Sequence, residues 1–470
     1  MKNKSIWGIL MLLTLGISAC DDHEEMSVPR SLEVQDFVWK GMNLYYLWQD
    51  DVTDLTDDRF SGQRQLNEFL TGFSDPAELF QHLRTDPATD RFSVIYGDYR
   101  VLEGVLSGTI KNNGVDFQLM YKPGSTTEIF GWVRYILPNS DAATKNIGRG
   151  DIFYAVNGTQ LTVSNYQDLL SADSYTLNLA EYDNGSITTN GQSVALAKTV
   201  ISENPVHKTQ VINLGSHRVG YLMYNGFYAA YDNTLNQAFA QFKQNNATDL
   251  VLDLRYNSGG SIASATYLAS MITGQFTGQL FARQQWNAKA QEYLEQAAPA
   301  ALENRFAGQL SDGSSINSLT MNRVFILTSP ATASASELVI NGLKPYVNVI
   351  QIGTSTVGKN VGSITLYDSP NYGKKNVNPR HRYAMQPIVL KTVNRDGFGD
   401  YQSGLPADIV LPEDLANLGE LGQSDEPLLQ AALNVITGSG RIAPPESHLV
   451  PLTDSKIIGG RDRMYVDNRP

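Results

Sequence analysis

A short stretch in the second half of the chain constrains the fold more than any other. Val324 to Thr328 have the composition of a buried strand, and the small residues from Ser329 to Ala333 follow as a loop. Ser334 to Leu343 then show helical spacing. A strand, a loop and a helix in this order predict an α/β layer with Ser334 at the start of the helix. The free amides and the dipole of that helix end favour a developing negative charge.

Lys359 is the candidate partner of Ser334. A serine needs a base to accept its proton, and a lysine that burial keeps neutral can replace the usual histidine. A free lysine has a pKa near ~10.4, so only desolvation or nearby positive charge makes it a base at neutral pH. Gly358, just before it, is expected to let the backbone pass close to the serine. The alternative is that Lys359 is an ordinary surface lysine.

Composition excludes several classes of function. With 470 residues, of which 42% are hydrophobic, the chain is long enough for two to four domains with real cores. The net charge is −12 and there is no basic stripe, so no nucleic-acid partner is expected. There is no HExxH, no cluster of cysteine and histidine and no phosphate-binding loop, so the sequence predicts no metal and no cofactor.

Residues 1–20 have the pattern of a lipoprotein signal peptide. Lys2 and Lys4 precede an apolar run from Ile6 to Ile17 that is too short for a comfortable membrane span. Residues 17–20, Ile-Ser-Ala-Cys, resemble a bacterial lipobox, which implies that Cys20, the single cysteine, carries a lipid. The alternative is an ordinary signal peptide with an incidental cysteine.

Residues 21–30 are interpreted as a tether. The acidic run Asp21 to Glu25 resembles the surface-export signal of Bacteroidetes lipoproteins, and the alternative is a solvated linker. The predicted location is therefore the cell envelope, on the outer membrane, facing either the periplasm or the cell surface. The membrane is expected as a partner through the lipid on Cys20.

Three further blocks follow along the chain. Residues 31–97 show helical spacing of large apolar side chains and predict a small helical domain. Residues 98–200 change to short strands with turn signals, and the phrase GDIFYAVNG resembles a PDZ domain. Residues 201–437 alternate strands and helices and predict an α/β core, while 438–470, rich in Gly, Pro and charge, is interpreted as a tail.

The PDZ-like domain carries a candidate peptide site. PDZ domains add a peptide to a sheet edge and hold its terminal carboxylate on backbone amides. The predicted loop here comprises Gly114, Val115, Asp116 and Phe117. The Asp116 carboxylate is expected to disfavour a peptide carboxylate by repulsion. The alternative is that this domain is only a spacer or a lid.

The phrases DLRYNSGG, TSPATASASE and GTSTVGK, in this order behind a PDZ-like domain, resemble the carboxy-terminal processing peptidases, serine peptidase family S41. The resemblance implies a crotonase-like α/β peptidase core. It also implies a role for each matching residue: Ser334 as nucleophile, Lys359 as general base, Gly260 and Ala335 as donors of the oxyanion-hole amides, Glu337 and Thr356 as supporting polar residues, and Ser363 where many members have a glutamine. Gly259 and Gly260 have a simpler alternative as a tight turn.

The predicted function is that of a serine endopeptidase with a Ser-Lys dyad. It would cleave extended or C-terminal segments of polypeptide substrates through an acyl-enzyme. The six histidines lie outside the three motifs, which argues against a histidine base. The rival prediction, motivated by Ser363 and Asp116, is a non-catalytic peptide-binding lipoprotein that keeps the peptidase fold.

Overall fold

The computed structural model describes residues 27–183, 185–440 and 449–467. Cys20 and the acidic run Asp21 to Glu25 lie outside the described residues, as does the predicted signal peptide. Within the described ranges, no helix is both long enough and apolar enough to cross a membrane.

The predicted N-terminal helical domain is confirmed. Its helices pack apolar faces together, and the buried members include Phe37, Met42 and Phe80. Asp75 begins one of them by accepting a hydrogen bond from the Ala77 amide at 2.8 Å. The elements of this block are α1 (Glu33–Tyr45), α2 (Gln63–Leu70), α3 (Pro76–His82) and β1 (Val94–Tyr96). A further helix, α4 (Tyr99–Leu106), follows at the start of the range predicted as PDZ-like.

The middle block is rich in strands, as predicted. Its elements are β2 (Thr109–Asn112), β3 (Val115–Tyr121), β4 (Ile129–Ile136), β5 (Ile152–Val156), β6 (Thr159–Gln160), α5 (Tyr166–Ser171), β7 (Ser174–Asp183), β8 (Ser186–Ala197) and β9 (Thr199–Ser202). Strands β3, β4, β5, β7 and β8 form an antiparallel meander around its own apolar core, and β2 pairs with β9. The likeness to a PDZ domain stays a prediction.

The predicted α/β core is confirmed. Its elements are β10 (Val206–Leu214), β11 (His217–Tyr224), α6 (Asp232–Gln244), β12 (Asp249–Asp253), β13 (Gly260–Ser261), α7 (Ile262–Thr273), β14 (Leu280–Trp286), α8 (Ala288–Ala297), β15 (Glu303–Arg305), β16 (Arg323–Thr328), α9 (Ala335–Leu343), β17 (Asn348–Gly353), β18 (Val361–Ser363), β19 (Leu366–Tyr367), β20 (Ala384–Gln386), β21 (Ile388–Asn394), β22 (Ile409–Val410) and α10 (Pro427–Thr437).

One sheet of the core has the order β10-β11-β12-β16-β17-β22, and its strands run parallel from β11 onwards. Strands β12 and β16 are buried almost throughout, which explains their continuous apolar sequences. Because β12 and β16 are parallel neighbours, the loops that follow them meet at one edge of the sheet. Those loops carry Gly260 and Ser334.

The C-terminal segment is part of the fold, which corrects its interpretation as a tail. It forms β23 (Pro451–Asp454), α11 (Ser455–Ile458) and β24 (Met464–Tyr465). Its charged side chains are buried because they find partners inside the protein. Arg461 pairs with Glu203, and Lys456 Nζ donates to the Tyr256 carbonyl at 2.7 Å. Charge in the sequence therefore suggested solvent exposure where the structure has internal ion pairs.

The remaining sheets include this C-terminal segment. Strand β23 pairs antiparallel with β3 and extends the meander of the middle block. Strand β24 lies in a second six-stranded sheet of order β13-β24-β18-β21-β14-β15. Strands β1, β20 and β19 form a small three-stranded sheet that joins the N-terminal domain to the core.

Candidate active site

Ser334 lies between β16 and α9, as its sequence predicts. It is fully buried and has a backbone φ of 66°, in the left-handed region that non-glycine residues rarely adopt. Backbone strain of this kind persists only where the surroundings hold it in place, and it is concentrated at functional sites. Ser334 therefore has the local geometry of a nucleophile presented at a helix start.

The Glu337 carboxylate holds this geometry. Its Oε2 accepts hydrogen bonds from the backbone amides of Ser334 at 2.6 Å and Lys359 at 2.8 Å. Its Oε1 accepts from Thr356 Oγ1 at 2.5 Å and from the Gly358 amide at 2.6 Å. Burial raises the pKa of Glu337 above its ordinary value, although all four donors favour the ionised form. One carboxylate thus ties together the backbones of the candidate nucleophile and the candidate base.

The side chain of Lys359 is buried, with 1% of its surface exposed. Its Nζ lies 4.3 Å from the centre of the Phe92 ring and donates to the Asp462 carbonyl at 2.5 Å. Burial lowers the pKa of Lys359 to about 7, against the opposing charge of Asp462 and with help from Arg463. A large fraction of this lysine is therefore neutral near pH 7 and able to accept a proton. Phe92 and Asp462 carry no motif and are not found by sequence reasoning.

The turn after β12 brings its glycines against Ser334. A Cβ atom on Gly259 would lie 2.6 Å from Ser334 Cβ, so only glycine fits there. Gly260 has a φ of 139°, and a Cβ on it would lie 2.1 Å from the Phe227 carbonyl oxygen. The Asn257 carbonyl accepts from the Ala333 amide and from Ser336 Oγ, each at 3.0 Å. These bonds fix the turn beside the first amides of α9, which include that of Ala335.

Gly358 has a different role from the one expected. A Cβ on it would lie 2.1 Å from the Gln402 carbonyl oxygen, and its φ is 89°. The backbone in close contact with Gly358 is thus that of residues 402–404. The glycine that allows the backbone to pass close to Ser334 is Gly259. The Gly358 amide itself donates to Glu337 Oε1 at 2.6 Å.

Ser363 lies on β18, beyond Lys359. Its hydroxyl donates to the Met464 carbonyl at 3.0 Å and to Gln386 Oε1 at 3.4 Å. These are its partners among the described residues, and neither is the lysine amine. Gln386, on β20, is buried beside it and has no signal in the sequence. Ser363 therefore connects β18, the strand that follows Lys359, to the C-terminal segment.

The dyad is not joined in this conformation. Within the described part of the chain, no hydrogen bond links Ser334 Oγ to Lys359 Nζ. The amine points instead to the Asp462 carbonyl. Catalytic hydrogen bonds of resting enzymes are often formed only when substrate binds, so this separation is compatible with a dyad.

The predicted peptide loop leads into the edge strand β3, which contains Val115, Asp116 and Phe117 and follows Gly114. Strand β23 pairs with this edge, and the Phe117 amide donates to Ser455 Oγ at 3.2 Å.

Asp116 is buried and paired with Arg134 at 2.5 Å. Burial opposes its ionisation, but the charges of Arg134, Lys456 and Arg461 hold the pKa of Asp116 below its ordinary value. These positive charges already balance the Asp116 carboxylate. We therefore no longer expect Asp116 to repel the carboxylate of a bound peptide.

Among the residues that the structure describes, no group of three or more His, Cys, Asp or Glu side chains is placed to hold a metal ion.

Comparison with known proteins identifies the family. The family model for peptidase family S41 matches residues 218–371, a range that holds Gly260, Ser334, Lys359 and Ser363. The model for the peptidase S41 N-terminal domain matches residues 33–94. Both matched ranges have the sequence pattern of peptidase family S41. The resemblance carried by the three sequence motifs is thereby confirmed.

Individual S41 proteins resemble this chain at moderate identity. A structure described as an S41 protease from Bacteroides fragilis NCTC 9343 is 27% identical, with a TM-score of 0.66 over 86% of this chain and 97% of that one. The chloroplastic C-terminal processing peptidase of Tetradesmus obliquus is 24% identical over 52% of this chain and 51% of its own length. The carboxyl-terminal-processing protease of Picosynechococcus is 24% identical over 54% and 53%. The chain thus spans about half the length of the curated relatives it matches.

Proposed function

We propose that this S41 protein is a serine endopeptidase in which Ser334 is the nucleophile and Lys359 the general base. The observation that carries the proposal is the Glu337 carboxylate, whose Oε2 accepts from the amides of both residues. A single buried group that fixes a strained serine and a desolvated lysine is hard to explain by stability alone.

The proposed reaction is acyl transfer to water. Neutral Lys359 takes the proton of Ser334 Oγ as that oxygen attacks the peptide carbonyl carbon. The amides of Gly260 and Ala335 stabilise the resulting oxyanion. Collapse breaks the C–N bond, and the lysine ammonium gives its proton to the leaving amine. Water then attacks the acyl-enzyme, with Lys359 again accepting a proton, and restores Ser334.

The proposed substrates are extended polypeptides cut near their C-terminal ends. The similar proteins from Tetradesmus obliquus and Picosynechococcus are C-terminal processing proteases, which supports a substrate of this class for the present chain. An extended chain is required in any case, because a scissile bond must reach both Ser334 and the Gly260 amide at the buried edge of the sheet. A compact folded substrate is expected to be cut much more slowly.

The test is labelling of the full chain with a fluorophosphonate, read by intact mass. Phosphorus accepts Ser334 Oγ and releases fluoride only if the serine is activated. We expect one adduct, located at Ser334 by peptide mapping, together with cleavage of an unstructured polypeptide. A protein that binds peptides but takes no label would support the non-catalytic alternative and contradict the proposal.

We further propose that the mature protein is anchored to the cell envelope through a lipid on Cys20, facing the periplasm or the cell surface. The lipobox-like residues 17–20 support this. We expect mass spectrometry of membrane-extracted protein to find residues 1–19 absent and a diacylglyceryl-type mass on Cys20. An unmodified Cys20, or cleavage at another bond, would contradict the anchor.

A further inference from the structure

The gap between the two halves of the candidate site is filled by the chain's own C-terminal segment. Strand β24 lies between β13, which carries Gly260, and β18, which follows Lys359. It runs parallel to both, with Met464 opposite Gly260 and Tyr465 opposite Ser261 and Ser363. Without β24, strands β13 and β18 would each present unpaired backbone groups to a cleft one strand wide. A substrate strand that reaches Ser334 needs the same slot.

The segment passes directly over the nucleophile and contacts the base. The position that a Cβ atom on Gly259 would occupy lies 2.6 Å from Ser334 Cβ and 2.9 Å from the Arg463 carbonyl oxygen. The preceding carbonyl, that of Asp462, accepts from Lys359 Nζ. Because the amine is engaged by the segment rather than by Ser334 Oγ, the occupied site is held in a non-productive arrangement.

Beside the ion pairs of its side chains, the segment is bound through its backbone, as a substrate would be. Ser258 Oγ donates to the Arg461 carbonyl at 2.9 Å, and Ser363 Oγ donates to the Met464 carbonyl at 3.0 Å. The Val466 amide donates to the Ser363 carbonyl at 3.1 Å. Such bonds recognise an extended chain whatever its side chains, which is how sheet edges capture peptides. The Met464 side chain adds specificity, since it is fully buried in the main apolar core.

The same segment covers the edge of the middle block before it enters the cleft. Strand β23 occupies the β3 edge, and Asp454 accepts from Arg134 at 3.2 Å. Arg461 then pairs with Glu203 near the start of the core. One continuous stretch from residue 449 to 467 therefore covers the β3 edge and fills the gap between β13 and β18.

We infer that residues 449–467 act as a resident peptide ligand that inhibits the site until a substrate displaces them. This inference rests on the proposed function and adds regulation to the same site. The competing substrate would be an extended segment that runs parallel to Gly260–Ser261 and places an apolar side chain where Met464 lies. Release of residues 449–467 exposes the gap between β13 and β18. The rate of substrate entry is therefore set by the small population of molecules in which the segment is released.

The test compares Met464→Asp with Ile457→Asp in the full chain. A carboxylate at the buried Met464 position disfavours the bound segment, whereas Ile457 is 47% exposed and receives the same charge without penalty. We expect Met464→Asp to take a fluorophosphonate at least about tenfold faster than wild type, and Ile457→Asp to match wild type. A synthetic peptide of residues 449–467, added in trans, should slow the faster variant; the same peptide with the Met464→Asp change should not.

Hydrogen exchange of the 461–467 amides gives a second readout that needs no variant. We expect these amides to be protected in the wild type and to lose protection once Ser334 carries the label. A label on Ser334 with unchanged protection would overturn the inference. So would equal labelling rates when exchange shows that Met464→Asp has released the segment; in both cases the proposed peptidase function would stand. Absence of label even with the segment released would overturn the proposed function and the inference with it.

Discussion

Ser334→Ala is expected to abolish fluorophosphonate labelling and to lower kcat/KM for an unstructured polypeptide by at least ~10⁴-fold. The substitution removes the only oxygen that can form the acyl-enzyme and leaves the oxyanion amides in place. Because no described hydrogen bond joins Ser334 Oγ to Lys359, its loss should leave the thermal unfolding midpoint close to that of wild type. Turnover, intact mass and thermal unfolding of the two purified proteins measure this.

Ser336→Ala is the matched control for that experiment. Ser336 lies two positions along the same helix and is equally buried, but its hydroxyl donates to the Asn257 carbonyl at 3.0 Å. Loss of this hydrogen bond costs about 1 kcal/mol of stability and removes one of the contacts that hold the Gly259–Gly260 turn in place. We expect this variant to keep its label with reduced turnover. Wild-type proteolysis by Ser334→Ala would refute the assignment of the nucleophile.

The part of the site that lies close in sequence to the motifs could be predicted. The helix predicted from Ser334 to Leu343 is observed as Ala335–Leu343, and the difference of one residue has a physical reason. Ser334 is the capping residue and takes a left-handed φ, so it stands just outside the helix. The buried strands β12 and β16 could be predicted because parallel strands covered on two faces are apolar throughout.

The contacts that tune the lysine could not be predicted from the sequence. Phe92 comes from the N-terminal domain and Asp462 from the C-terminal segment, and each meets Lys359 only in the folded chain. Neither position has a periodic pattern or a motif. Burial lowers the pKa of Lys359 and the charge of Asp462 opposes that shift, and both depend on tertiary packing of distant segments rather than on local spacing.

The C-terminal segment shows why charge patterns mislead near the end of a chain. Arg461, Arg463 and Lys456 suggested a solvated tail, since these side chains are rarely buried alone. Glu203 and Asp116 lie elsewhere in the sequence and neutralise two of them inside the protein. These ion pairs allow a charged stretch to be buried. They cannot be predicted from the sequence, because folding alone brings the partners together.

Lys359→Ala and Lys359→Arg are both expected to lose at least ~10³-fold in kcat/KM. Arginine keeps the positive charge and most of the length of the side chain, but it stays protonated in proteins and cannot accept the serine proton. Lys344→Arg is the control, because Lys344 is an exposed lysine at the other end of the helix that Ser334 begins. Lys359→Arg with wild-type turnover would rule out the lysine as base.

The pH dependence of the wild type tests the same assignment without a substitution. The neutral amine is the active form, and burial lowers the pKa of Lys359 to about 7. A substrate strand that replaces the C-terminal segment also buries the amine, so activity should rise with pH through about 7 and level off above it. Below that value it should fall about tenfold per pH unit as the ammonium form accumulates. Residual activity in Lys359→Ala should show no such rise, since the titrating group is gone. A wild-type profile with its midpoint near ~10.4, the value of a free lysine, would mean that the pocket around Phe92 does not desolvate the amine during turnover.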